Sequence, residues 1–158
     1  MKYLLDLSII NNSPRNYRTK PIIKGELFPN FIAKTINKRI IELSRQRGKI
    51  VILRFELEAN SFRFKKQEIK QIDNLINKIN NKNEKVKAII FFASNELDIK
   101  QGFDLQNSNF EIIPNSYNFQ DKFSITRFPT TIVIDKNGKL IDYYNYIDEI
   151  NLTHMVNE

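Results

Sequence analysis

Two dense apolar runs, residues 49–55 (Lys-Ile-Val-Ile-Leu-Arg-Phe) and 86–93 (Val-Lys-Ala-Ile-Ile-Phe-Phe-Ala), bracket a stretch with helical period. No other feature limits the chain as much. Apolar residues at nearly every position, rather than every second one, mark strands covered on both faces. Between them Ile69, Ile72, Leu75, Ile76 and Ile79 share one helical stripe, with Lys65, Lys66, Lys70 and Lys78 largely off it. A helix is therefore expected over 62–79. Farther along, the pattern predicts a weak helix over 96–105, a strand over 110–113 and a helical turn over 118–123. Residues 132–135 and 139–144 read as a hairpin about Asn137-Gly138, a pair with strong hairpin preference. Residues 147–156 read as a closing helix. Ahead of the first run, residues 31–35 and 39–43 are short extended segments separated by a turn at Asn37-Lys38. Strands and helices thus alternate up to the closing hairpin and helix, with extra strands in front, which defines an α/β domain.

At 158 residues the chain is long enough for one full core. No apolar run approaches the ~20 residues needed to span a bilayer. Residues 1–10 alternate, with Tyr3, Leu5, Leu7 and Ile9 on one side, so a strand is expected there. Asp6 interrupts the stretch and argues against a signal peptide. An N-terminal strand and arm over 1–21, followed by a single domain over 22–158, is the expected division. The net charge of +7 is concentrated at one end. Residues 1–60 hold twelve Lys/Arg against five Asp/Glu, and residues 61–158 hold thirteen against thirteen. That excess is scattered over strands and turns, and no aromatic-basic signature accompanies it, so nucleic acid is not an expected partner. There is no phosphate-cradling glycine loop and hence no support for nucleotide chemistry.

Four landmarks stand in order along the chain: Gly25 to Phe31, Leu43-Ser44 with Gly48-Lys49, the helix after Phe62, and Phe128 to Gly138. Together they resemble the thioredoxin-like superfamily and its redoxin branch, which holds the TlpA/ResA-like thiol-disulfide oxidoreductases and the AhpC/TSA proteins. Residues 25–31, Gly-Glu-Leu-Phe-Pro-Asn-Phe, are similar to that branch's Gly-x-x-Ala-Pro-x-Phe opening, with Phe28 in place of alanine. Leu43-Ser44 and Gly48-Lys49 followed by the apolar run resemble the approach to its first central strand. The helix after Phe62 resembles its long helix. Residues 128–138, Phe-Pro-Thr-Thr-Ile-Val-Ile-Asp-Lys-Asn-Gly, resemble its Ile-Pro-Thr-Thr segment. The resemblance implies a three-layer sandwich with a central mixed sheet flanked by helices. It also implies a cis bond at Phe128–Pro129, opposite the start of the long helix.

The departure falls on the chemistry. The family carries Cys-x-x-Cys where this chain reads Asn60-Ser61-Phe62-Arg63, and the chain has no cysteine. Asn cannot ionise and Arg cannot attack. Ser61 as a nucleophile needs a base, and His154, the only histidine, is near the far end. Asn60 or Ser61 is instead expected to cap the helix. Glu56 and Glu58 share one side of an extended segment; solvated charge at a strand end is expected rather than a carboxylate pair. Phe62 and Phe64 either crown a groove or pack inward. Tyr143, Tyr144 and Tyr146 are expected to pack, with an interface as the alternative. Asp135 reads as a turn residue. A lone His154 builds no metal site, and no cofactor is expected.

The function expected from these residues is a redox-inactive binding or interaction module, not an enzyme. The resemblance places peptide contact at Phe128, Pro129 and Thr130, with Asn60, Ser61, Phe62 and Arg63 opposite. The partner would be a protein or extended peptide, acidic because of Arg63. Two alternatives stand: an oxidoreductase or antioxidant protein using a partner-supplied thiol, and a structural domain docking through its basic N-terminal segment. Cytoplasmic location is the default, while the resemblance suggests the periplasm or cell envelope.

Overall fold

The computed structural model describes residues 21–61, 64–104, 106–145 and 150–158. The expected strand over 1–10, together with Phe62, Arg63 and Tyr146, lies outside the described residues. The elements run β1 (Ile32–Lys34), β2 (Ile40–Glu42), a 3₁₀ turn (Leu43–Gln46) and β3 (Ile50–Glu56). Then come α1 (Lys66–Ile79), β4 (Val86–Phe92), α2 (Glu96–Gly102), β5 (Phe110–Ile113) and α3 (Tyr117–Lys122). The chain closes with β6 (Thr130–Ile134), β7 (Leu140–Tyr144) and α4 (Leu152–Asn157). The two apolar runs are β3 and β4, parallel neighbours at the centre of a five-stranded sheet ordered β5-β4-β3-β6-β7. β5 extends the parallel part, whereas β6 and β7 add antiparallel to β3 and to each other. The sheet is therefore mixed, as the family resemblance implies.

Both faces of this sheet are covered, which is why its strands read as continuous apolar runs. On one face Ile50 and Ile52 of β3 and Ala88, Ile90 and Phe92 of β4 pack under Ile69, Ile72 and Ile76 of α1. Ile99 of α2 and Leu152 and Val156 of α4 complete that layer. On the other face Val51, Leu53 and Phe55 meet Ile89 and Phe91, roofed by α3 and the β1–β2 pair. Aromatic rings dominate this second core. Phe55 and Phe91 stack with centroids 4.7 Å apart, and Phe31 meets Phe91 edge-on at 5.3 Å. Each such pair adds about 0.5–1.5 kcal/mol beyond area burial.

Local chemistry sets several boundaries. Asn80, just past α1, donates from Nδ2 to the Val86 carbonyl and accepts through Oδ1 from the Lys85 and Val86 amides. The helix end is thus tied to the start of β4. The β6–β7 hairpin turns at Lys136-Asn137-Gly138, where Gly138 has φ +86°, a left-handed conformation that glycine adopts without a Cβ penalty. Asp135 is the turn residue expected: its Oδ1 accepts from the Asn137 and Lys139 amides at 2.8 and 2.9 Å. Tyr143 packs, as expected, and its hydroxyl donates to the Ile22 carbonyl at 2.7 Å. Among the described residues, several of the basic side chains of the first sixty positions are paired with acids. Lys24, Arg39 and Lys49 pair with Asp142, Glu111 and Glu84 at 2.7–2.8 Å, and Lys38 pairs with Glu96. Exposed pairs of this kind contribute about 0–1 kcal/mol each.

Candidate functional site

Because β3 and β6 are antiparallel, the end of one meets the start of the other: Phe55 pairs with Thr130 and Arg54 with Thr131. The loop after β3 and the loop before β6 consequently leave the sheet at the same end. The Phe128–Pro129 bond is cis, as the family resemblance implies. Thr130 Oγ1 donates to the Arg127 carbonyl at 2.6 Å, closing the loop on itself. Phe128 rests half-buried against the aromatic core. Across the same end, Asn60 is exposed and Ser61 is half-buried.

The loop after β3 is strapped down from its neighbours. Ser94, just beyond β4, donates its amide to the Leu57 carbonyl at 3.0 Å. Its hydroxyl donates to the same carbonyl and accepts from the Ala59 amide, both at 3.1 Å. Gln120 of α3 donates Nε2 to the Glu56 carbonyl at 3.1 Å. Ala59 itself is buried against Gly102, the last residue of α2. A Cβ on Gly102 would stand 2.3 Å from the Ala59 carbonyl oxygen, closer than any real contact. Gly102→Ala gains about 1 kcal/mol in helix propensity, but here it must displace backbone, at a typical overpacking cost of about 1–3 kcal/mol. Urea unfolding should therefore show net destabilisation, and a stabilised variant would contradict the close approach.

Helix capping by Asn60 or Ser61 does not occur. α1 starts at Lys66, with Lys65 in the N-cap position and no side-chain capping bond. The reason is Phe64, which points into the core, edge-on to Phe92 at 5.3 Å and beside Phe103 at 5.8 Å. Burying that ring fixes the residue just before the N-cap, so α1 begins at Lys66. Phe64 is therefore core, the inward option of the two open to it. His154 is exposed in α4 with Nε2 2.8 Å from Glu158, and no group of three or more His, Cys, Asp or Glu among the described residues is placed to hold a metal.

Glu56 overturns the expectation of solvated charge. It is buried, and so is Arg54, whose side chain is 1 % exposed. Both project on the α1 side of β3, two and four residues beyond Ile52. Arg54 donates Nε to Glu56 Oε2 at 2.8 Å and Nη1 to Thr131 Oγ1 at 3.0 Å. Nη1 also bonds Glu68 in the first turn of α1. Burial pushes the Glu56 carboxyl above its ordinary range, and Arg54 opposes that without cancelling it. Glu58, beyond the strand end, is exposed as expected. The signal for this cluster was present: a charge at an inward position of an apolar run, and Glu68 four residues before the buried Ile72.

The sheet order, the covering helices and the cis proline at the strand-end loop define a thioredoxin-like fold of the redoxin kind. Residues 24–143 match the AhpC/TSA family, and the chain belongs to that family. Solved structures agree in fold. A candidate protein disulfide isomerase from Bacteroides thetaiotaomicron superposes with TM-score 0.67 at 19% identity, covering 87% of this chain and 92% of the other. The thioredoxin domain of a thiol-disulfide oxidoreductase from Bacteroides vulgatus gives 0.64 at 15%, covering 86% and 96%. An exposed lipoprotein thioredoxin from Streptococcus pneumoniae gives 0.59 at 19%, covering 82% and 98%. No curated protein sequence matches the chain. No helix among the described residues is long and apolar enough to cross a membrane.

Proposed function

We propose that this chain is a redox-inactive member of its family that binds protein partners in extended conformation. One observation carries the reading: the cis-proline loop is retained in a chain without cysteine. Disulfide exchange begins with attack by a thiolate, and this sequence supplies none. A strand-end loop pairs with an extended peptide through its backbone, which needs no sulfur. Apolar side chains on the same end support this role. Leu57, Leu97 and Tyr117 follow β3, β4 and β5, whose parallel ends lie along one edge, and they are 38, 64 and 62 % exposed. In this proposal Phe128, Pro129 and Thr130 receive the peptide and Asn60, Ser61, Phe62 and Arg63 form the facing wall. Exposed Arg127 joins Arg63 in favouring an acidic partner. Residues 22–158 act as the working domain, with 1–21 as an arm.

The relatives named as a protein disulfide isomerase and a thiol-disulfide oxidoreductase favour a second reading, in which a partner supplies the thiol. The lipoprotein relative supports a cell-envelope location. Insulin-disulfide reduction and affinity capture separate the two readings. The purified chain should show no turnover above buffer with a thiol donor present, and should capture its partner with that donor absent. A Phe62→Ala, Arg63→Ala double variant should lose capture while keeping wild-type thermal stability. Thiol-dependent turnover that survives repurification would favour the second reading. Capture that survives the double variant but disappears on deleting residues 1–20 would move the working surface to the N-terminal segment.

A further inference from the structure

The Arg54 cluster ties together three elements: β3, the first turn of α1, and β6 one residue after Thr130. Two carboxylates reach the one guanidinium. Glu56 holds Nε and Glu68 holds Nη1, which Thr131 shares, while Nη2 has no hydrogen-bond partner among the described residues. The fork is therefore divided between two acids and satisfies neither with a paired two-bond contact. The charged groups acting on Glu56 are Arg54 from its own strand, Glu68 from α1 and Lys65 from the helix N-cap. Lys65 is exposed to solvent and offsets little. With both acids ionised, the buried cluster carries a surplus negative charge.

We propose that this cluster is a pH-dependent clasp on the first turn of α1, closed when Glu56 is neutral and loosened when Glu56 ionises and competes with Glu68 for Arg54. Glu68 is the partner that yields, because its side chain is 12 % exposed against 4 % for Glu56, and it sits on a helix end without a side-chain cap. The direction follows from linkage. Burial raises the Glu56 carboxyl in the folded state, so its contribution is fully present below the unfolded value, about 4.3. It is lost as pH rises through the raised folded value. The clasp does not depend on the binding role proposed above.

The test uses the full chain and no ligand, so its outcome is independent of partner capture. Hydrogen-exchange protection is measured from pH 5 to 8 at the Glu68 and Ile69 amides, both bonded to the Lys65 carbonyl. In wild type, protection should fall with rising pH by up to about tenfold per unit within the titration window. In Glu56→Gln, which keeps an oxygen for Arg54 Nε, protection should stay level and exceed wild type at pH 8. Glu68→Gln, a mild change at a partly exposed site, should lower protection at pH 5. Parallel pH profiles in wild type and Glu56→Gln would overturn the clasp, as would unchanged protection in Glu68→Gln.

Discussion

Arg54→Ala is expected to lower folding stability by about 3–5 kcal/mol, the usual result of removing one partner from a buried ion pair. The guanidinium is the sole cation among the buried side chains of the described residues, and Glu56 beside it is 4 % exposed. Without Arg54, Glu56 must ionise alone in an apolar layer or take up a proton. The loss should therefore grow with pH, since the proton becomes harder to retain as pH rises. Urea unfolding at pH 5 and pH 8 measures both the size and the trend. A contrasting variant separates this penalty from the worth of the network. Arg54→Met and Glu56→Leu combined with Glu68→Gln remove the cluster's charges and roughly keep volume, and such replacements are often neutral or stabilising. A loss under about 1 kcal/mol in Arg54→Ala would mean that water already reaches the cluster.

The sequence disclosed the layers but not the polar centre, for a physical reason. Strand and helix periods report where apolar side chains recur, so β3, β4, β5, α1 and the β6–β7 hairpin were legible from residues such as Ile69, Ile72 and Ile76. They report nothing on how a buried charge is satisfied, because Glu68 meets Arg54 only after α1 crosses β3. Arg54 marks a charge at an inward position of its apolar run, but the run alone does not say which acid meets it. The start of α1 failed differently. Asn60 and Ser61 are good caps in isolation, but burying the Phe64 ring outweighs the roughly 1 kcal/mol a cap contributes. The cis proline loop was legible through family resemblance rather than through any periodicity. The charge asymmetry was legible as a number, while the pairing of Lys24, Lys38, Arg39 and Lys49 with Asp142, Glu96, Glu111 and Glu84 required the fold.

Restoring cysteine at Asn60 and Arg63 should return a dithiol to the chain, though a slow one. Mild oxidation of the Asn60→Cys, Arg63→Cys variant is expected to give an intramolecular disulfide, read as a loss of about 2 Da that dithiothreitol reverses. The structure adds an expectation about rate. A reactive thiol in this position normally draws on the helix N-terminus, whose field falls off within the first turn. Here α1 starts at Lys66, well past residue 60, so the new thiol should stay near the ordinary value of about 8.5. Only a few per cent is then thiolate at pH 7. Insulin reduction should accordingly be weak at pH 7 and rise close to tenfold by pH 8, against no turnover in the parent chain. Absence of the disulfide would show that residues 60 and 63 are not the family's paired positions. Fast turnover at pH 7 would show instead that something other than the helix stabilises the thiolate, and Lys65 would be the first residue to replace.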